Sequence, residues 1–252
     1  MRILSIDSSL GTQLAVVDAA PSAAGARALQ VLSQDEQADT RRHAESLGQM
    51  LSQALSAPEV AERPLDAVVA ATGPAPFTGL RAGLVTAGVV GRTRGVPVHG
   101  VSSLDAVARR ALDELGAHEG HKDPVVLVAT DARRREVYTA LFRANGPDDV
   151  TRLTEISVCL PAQVAQRLAE QTPGQDKGSG GIDVVAGSGA ALYPELAETA
   201  SCREALAPVS GDVLTQVRIA LARLERGEEL STQPLYLRHA DVQMPTARKR
   251  VR

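Results

Sequence analysis

Residues 2–18 read RILSIDSSLGTQLAVVD: an apolar run ending in Asp7, a Ser/Gly turn over residues 8–12, and a second apolar run to Asp18. Apolar runs of this length on either side of a Ser/Gly turn predict a β-hairpin. The same unit returns in the second half of the chain. There Pro124 to Asp131 (PVVLVATD) is followed by a basic turn, Ala132 to Arg135, and a second strand, Glu136 to Phe142. One such hairpin is commonplace. Two, each opening one half of a 252-residue chain, predict a duplicated α/β protein of two related lobes.

Helix and strand periods alternate between and beyond these units. A strand is expected near residues 28–33. His43 to Leu55 places Leu47, Met50, Leu51, Ala54 and Leu55 on one face of an amphipathic helix. Asp66–Thr72 reads as a buried strand stopped by Gly73-Pro74-Ala75-Pro76. Thr78 is a suitable N-cap for a helix continuing to Gly91. Along it Gly79, Gly83, Ala87 and Gly91 fall four apart and share a face. Each helical glycine costs about 1 kcal/mol against alanine, so close approach of another backbone is expected there. Val96–Val101 is a strand, and Ser102-Ser103-Leu104-Asp105 resembles a capping box opening a helix to Leu115.

Residues 117–123 form a polar connector. Beyond the second hairpin come a helix at Pro161–Gln171, a flexible insertion at 172–181, a strand at Ile182–Ala186 and a last helix at Asp212–Arg226. The expected organisation is one lobe over 1–110, a second over 111–230 whose last helix is free to pack back on the first, and a flexible basic tail at 231–252.

Composition narrows the function. Three Tyr, two Phe and no Trp accompany 44% hydrophobic residues, so the core must be Ala, Val and Leu. Reading single-stranded nucleic acid by stacking needs an aromatic platform. Here Phe77, Tyr138 and Tyr236 read as anchors of lobes and turns. Lys+Arg is 27 against Asp+Glu 30, a net charge of -3, which does not suit a polyanion-binding body. Residues 238–252 nevertheless carry five basic groups against Asp241, so RNA contact is expected only from this tail. Cys159 and Cys202 make no CxxC pair, against a disulfide framework or zinc site. The start, MRILSIDSS, has no apolar signal-peptide region, and the apolar stretch Gly83–Gly91 is too short for a bilayer. A cytoplasmic protein without membrane contact is expected.

Asp7, Ser8 and Ser9 at a strand end suit phosphate and Mg²⁺ handling, with Asp131 at the matching place in the second half. The same residues equally suit a hairpin turn closed by local hydrogen bonds. Gly187-Ser188-Gly189 after a strand would let backbone approach an adenosine. A Walker motif and a complete GxGxxG are both missing. His118-Glu119-Gly120-His121 has its histidines three apart, unlike a zincin, and no metal site is expected. No GxSxG elbow is found. His43 and Glu45 open their helix as a solvated first turn or a partner contact.

Several blocks in order carry a resemblance: ILSIDS (Ile3–Ser8), HAESL (His43–Leu47), GPAPFTGLRAGL (Gly73–Leu84), GVSSLDAVA (Gly100–Ala108), DARRREVY (Asp131–Tyr138) and PLYLRHAD (Pro234–Asp241). The chain resembles the TsaB (YeaZ) family of tRNA threonylcarbamoyladenosine biosynthesis over nearly its whole length. Ala75 and Pro76 stand where that family usually has Gly and Ser, and Pro76 removes an amide from the loop. Arg135 stands where Gly is frequent.

The resemblance implies an actin-like (ASKHA, RNase H-like) fold of two related lobes with mixed sheets flanked by helices. It implies a noncatalytic subunit that docks on the TsaD paralogue, works with the TsaE ATPase, and pairs with itself when alone. TsaD holds a metal through two histidines four apart, a pair missing from this sequence. The chain itself then needs no cofactor, ATP/ADP-Mg belonging to the complex, and tRNA contact is mostly indirect. In this family docking uses N-lobe helices, which by position selects His43, Glu45, Leu47, Met50, Leu51, Gly79, Gly83 and Ala87. The alternative is a stand-alone nucleotide-binding ATPase or kinase built on Asp7, Ser8, Ser9, Asp131, Gly187 and Gly189.

Overall fold

The structure, a computed structural model, describes residues 1–20, 25–38, 43–116, 123–172, 181–200, 208 and 210–237. The two hairpins each seed a five-stranded mixed sheet. In the first, β1 (Arg2–Asp7), β2 (Thr12–Ala19) and β3 (Leu29–Gln37) form an antiparallel meander. β4 (Ala67–Ala71) and β5 (Val98–Val101) add in parallel beside β1, giving the order β3-β2-β1-β4-β5. In the second, β6 (Val126–Asp131) pairs antiparallel with β7 (Val137–Asn145) and parallel with β10 (Val184–Ala186). The short strands β8 (Asp149–Arg152) and β9 (Ser157–Cys159) both pair with β7. This is the expected pair of related lobes, each a mixed sheet flanked by helices.

Alternation along β1 decides what lies on each side of the first sheet. Leu4 and Ile6 face α1 (His43–Ser56), α2 (Pro58–Ala61) and α3 (Phe77–Arg94), where Leu47, Met50, Ala54, Val60, Ala87 and Val90 fill the core. Ile3, with Ala15, Val17 and Val69, faces α7 (Val213–Glu225) through Val213, Val217 and Ile219. The second sheet is covered on one side by α4 (Ser103–Gly116) through Leu104, Val107, Ala108, Ala111 and Leu112. On its other side lie α5 (Val164–Gln171) and α6 (Ser188–Leu192), with 3-10 turns at Pro161–Gln163 and Pro194–Thr199.

Helices α4 and α7 thus exchange lobes. α7 comes from the end of the chain and completes the first lobe, whereas α4 packs as a whole on the second sheet. The boundary expected at 110/111 falls inside α4. Packing, not sequence order, draws the division.

Local chemistry departs from expectation at several ends. α3 starts at Phe77, so Pro76 occupies the N-cap and Thr78 lies in the first turn without capping it. The expected capping box at α4 is not made: Ser102 Oγ and Ser103 Oγ have no partner. The Asp105 carboxylate is taken instead by Arg152 (3.0 Å) and Arg223 (2.8 Å). Residues 231–237 are laid along the first lobe, not loose. Gly100 N donates to Leu230 O (3.2 Å), Leu235 N donates to Thr72 O (2.9 Å), and Leu237 packs on the α4 core. A Cβ on Gly100 would lie 2.1 Å from Ser231 O, so glycine is required where this segment crosses β5. The basic residues 238–252, the His118–His121 cluster and residues 173–180 of the expected insertion lie outside the described residues.

The lobes are joined by a charged network around the β7–β8 turn. Asp149, 1% exposed, binds Arg223 (2.9 Å) and Arg226 of the α7 end. Asp148 accepts from Arg218 Nε (2.8 Å) and from the backbone amide of Arg27 (2.9 Å), a residue of the first lobe. Arg218 also reaches Asp113 of α4 (2.6 Å). Removing one partner of a buried pair strands the other, typically at about 3–5 kcal/mol, whereas exposed pairs are worth under about 1 kcal/mol. Asp149→Ala is therefore expected to lower the unfolding free energy by about 3 kcal/mol in urea titration. Arg167→Ala, which breaks the exposed pair with Glu170, should change it by less than about 1 kcal/mol.

Candidate functional site

The two strand-end acids each close their own hairpin in the same way. Asp7 Oδ1 accepts from Ser9 N (2.7 Å), and Asp131 Oδ1 accepts from Arg133 N (2.9 Å). The duplication is thus visible at the level of single hydrogen bonds. From there the copies diverge.

Asp7 is buried, and its second oxygen accepts from the Gln216 side-chain amide of α7 at 2.6 Å. Burial pushes its carboxyl above the usual range, against the opposing hydrogen bonds from Ser9 and Gln216. Ser8 Oγ donates to Gly79 O (2.7 Å) and accepts from Gly83 N (3.0 Å), which ties the β1 end to α3. Gly187 and Gly189 serve packing too. A Cβ on Gly187 would lie 2.3 Å from Ala129 O, and one on Gly189 would lie 2.7 Å from Val137. Ser188 Oγ accepts from Asp131 N (3.0 Å). Of the expected phosphate-binding set only Ser9 and Asp131 line the interlobe cleft, and Asp131 is paired with Arg133 (3.2 Å).

The cleft, bounded also by Pro74, Ala75, Pro76, Ser103, Thr130, Arg133 and Gly211, leaves about 30 Å³. That is roughly one water's share, against about 300 Å³ or more for a ligand pocket. The residues do not fit a nucleotide-Mg group in this arrangement. Among the described residues no group of three or more His, Cys, Asp or Glu could hold a metal ion.

The residues expected at a partner interface are distributed differently. Leu47 and Met50 are buried in the core beneath α1, Leu51 is half-buried beside them, and Glu45 is exposed. His43 starts α1, but its side chain lies outside what the structure describes. The small-residue face of α3 does meet a close neighbour, and it is this chain's own β1. A Cβ on Gly83 would lie 2.3 Å from Ser8 Oγ, Gly79 O holds the same hydroxyl, and Ala87 is buried. Gly79, Gly83 and Ala87 are therefore core positions, and arginine at Gly83 would break the β1–α3 contact before it reached a partner. The opposite face of α3 presents Val85 (62% exposed) and Val89 (55%) to solvent. Between them Gly88, and on α1 Gly48, have open space where a side chain would stand.

The motif blocks converge in space. Gly73 O accepts from Ser103 N (2.8 Å), Leu80 is buried, and the Phe77 ring meets Tyr236 of the C-terminal segment at 5.2 Å. Arg81 lies 4.7 Å over Phe77. Tyr138 is a buried anchor as expected, and Phe142 is buried too, whereas Phe77 (55%) and Tyr236 (45%), also expected as anchors, are exposed.

Residues 30–217 match the family model described as TsaD, tRNA N6-adenosine threonylcarbamoyltransferase. The chain belongs to the TsaD/TsaB family. It is 26% identical over 206 residues to Escherichia coli TsaB, a tRNA threonylcarbamoyladenosine biosynthesis protein, covering 79% of this chain and 82% of that one. It is 43% identical over 114 residues to an uncharacterized protein of Mycobacterium tuberculosis, covering 45% of this chain and 49% of the relative. The chain thus spans about half the length of its mycobacterial relatives, or less: 36% of the one from Mycobacterium leprae. Among solved structures, YeaZ from Pseudomonas aeruginosa superposes with a TM-score of 0.66 at 22% identity, over 94% of this chain and 99% of that one. That likeness shares the TsaB fold. Among the described residues no helix is long and apolar enough to cross a membrane.

The buried Asp7 gives a pH test of the cleft. A carboxyl raised in the folded state binds more protons folded than unfolded between its two pKa values, so its contribution to stability falls as pH rises through that window. With Gln216 turned over, Asp7→Asn keeps the contact without the charge. The stability difference, variant minus wild type, is expected to favour the variant most at neutral pH. It should shrink on acidification below the folded Asp7 pKa, as read by thermal melts across pH. A difference that grows on acidification would mean that Asp7 is stabilised as a carboxylate.

Proposed function

We infer that this chain is a noncatalytic, TsaB-type subunit in tRNA threonylcarbamoyladenosine formation. It docks on the TsaD paralogue and holds it in an active state for transfer of threonylcarbamoyl from threonylcarbamoyl-AMP to tRNA. The observation that carries this reading is the internal use of the ligand positions: Asp7, Ser8, Gly187 and Gly189 are consumed by the fold, within a family whose frame is otherwise suited to a cleft ligand. Family membership supplies the pathway, and the relatives named TsaB supply the role. On this reading the chain needs no nucleotide of its own, and ATP chemistry belongs to TsaE and the assembled complex.

The docking surface is the outer face of α1 and α3. Val85 and Val89 offer apolar area, and Gly48 and Gly88 allow a facing helix to approach closely. A related lobe carrying a similar helix pair would meet it in two-fold or pseudo-two-fold fashion, which also accounts for pairing of this chain with itself when the paralogue is missing. Since these side chains are exposed, their replacement leaves the core untouched.

Co-expression with the paralogue tests this. Val85→Glu and Val89→Glu should each weaken the complex at least tenfold, about 1.4 kcal/mol, in size-exclusion and titration experiments. Modified adenosine in tRNA should fall in parallel, with the melting temperature of the isolated chain unchanged. Normal co-purification of the double variant would place docking elsewhere. ATP-Mg turnover by the isolated chain would replace this reading with that of a stand-alone enzyme.

A further inference from the structure

We propose that the outer stripe of α3 selects its partner by charge: it takes a helix with carboxylates at both ends of an apolar centre and disfavours a second copy of itself. Such selection rests on the docking face proposed above and names what that face meets. Along α3 the positions 81, 85, 88 and 92 follow helical spacing and stand in one line. Arg81 and Arg92 are eleven residues apart, so they lie about 17 Å from each other along the axis and within about 20° around it. Between them Val85 and Val89 are exposed, and a side chain at Gly88 would have nothing within 4 Å. The stripe reads cation, apolar centre, cation.

The fold makes no use of these two charges. Both side chains are exposed, and neither guanidinium is paired with a carboxylate among the described residues. The arginines of α4 and α7 differ, since Arg109, Arg110, Arg218 and Arg223 are each bound to an aspartate. Arg92 lies in the last turn of α3, where the helix dipole favours a cation. Arg81 lies near the other end, where the dipole opposes one, and the first turn holds no acid to offset it. What holds Arg81 is the Phe77 ring, 4.7 Å from its guanidinium carbon. Stacking occupies the flat face of the guanidinium and leaves its N–H edge free to meet a carboxylate.

The same arrangement opposes self-pairing through α3. In an antiparallel pair centred on the apolar residues, Arg81 of each copy lies opposite Arg92 of the other. In a parallel pair each arginine faces its own equivalent. Like charges meet at both ends in either direction, and such contacts across an interface are costly. The other helix of the face gives a copy little relief, because α1 contains a single acid, Glu45. A helix with two carboxylates about three turns apart satisfies both arginines whichever way it runs, since the pattern reads alike from both ends.

The test follows two associations of the full chain: with the TsaD paralogue, by titration, and with itself, by sedimentation over a range of concentrations. Raising the salt from about 0.05 M to about 0.5 M should weaken the complex with the paralogue about tenfold. Arg81→Gln/Arg92→Gln should weaken it to a similar degree, remove most of the salt dependence and strengthen self-association, with the melting temperature unchanged. Arg81→Glu/Arg92→Glu should lose the paralogue yet pair with the wild-type chain more tightly than either chain pairs with itself, a result that misfolding cannot imitate. Arg92→Gln alone, which touches no ring, should cost about threefold and keeps the test if the change at Arg81 disturbs Phe77. Paralogue affinity that ignores both salt and the glutamine changes would overturn the selection, as would self-association that the glutamine changes leave as it was. Val85→Glu separates the two readings. If it weakens the complex while the glutamine variant does not, docking stands and charge selection falls. If neither weakens it, the docking face itself is wrong and the selection falls with it.

Discussion

The contact on which the molecule depends is the return of α7 to the first sheet. Gln216, wholly buried, donates to Asp7 and accepts from Ser5 Oγ at 3.5 Å, which joins the last helix to the first strand. Three arginines toward the end of the same helix, Arg218, Arg223 and Arg226, hold the acidic turn of the second lobe. One element therefore closes the first lobe and clamps the second. Opening the cleft would pull Asp148 and Asp149 away from their arginines, at several kcal/mol for each buried pair broken. A ligand could drive that only by binding the open form correspondingly better. Where Ser9 and Asp131 line it the cleft leaves about 30 Å³, and the buried ion pairs hold the lobes in this arrangement.

A second connection runs the other way. Residues 228–237 leave α7, cross β5 at Gly100, bond to Thr72 and finish with Leu237 on the α4 core of the second lobe. Asp105 of α4 strengthens the first connection, its carboxylate being shared by Arg152 of β8 and Arg223 of α7. Buried ion pairs contribute little net stability compared with apolar packing, but an unmatched partner is costly. Here they fix the relative placement of lobes whose shared interface is otherwise built from small side chains such as Ala106.

What the sequence made legible follows from range. The two hairpins and the helices α1, α3, α4 and α7 could be read because alternation and helical spacing are local properties. The strand β8, with the sequence DVTR, has no apolar alternation to find and exists because β7 offers it an edge. The α4 capping box failed for the same reason: residues 102–105 have the right local pattern, but Arg152 and Arg223, far along the chain, take the carboxylate. The glycine face of α3 is the sharpest case. Spacing predicted a close neighbour, and there is one, but spacing cannot say whose backbone it is. Ser8, a buried hydroxyl needing both a donor and an acceptor, fills the space from within the chain. The exposed apolar positions of α3 lie on the other side of the helix, at Val85 and Val89. The aromatic pair was hidden likewise, because Phe77 and Tyr236 lie far apart in the sequence and only the path of 228–237 brings them together.

The two strand-end acids show what duplication has allowed. Asp7 and Asp131 occupy equivalent places and make the same hydrogen bond two residues on. In the first lobe the acid has been drawn into the core by Gln216 and its serine neighbour spent on α3. In the second it lines the cleft, largely buried, and is paired with Arg133 from the left-handed Arg133-Arg134-Arg135 turn (φ 63°, 55° and 62°). A phosphate-Mg site of this type needs its acids hydrated and its hydroxyls free at the same moment. Neither acid stands free: besides the amide two residues on, Asp7 is held by Gln216 and Asp131 by Arg133.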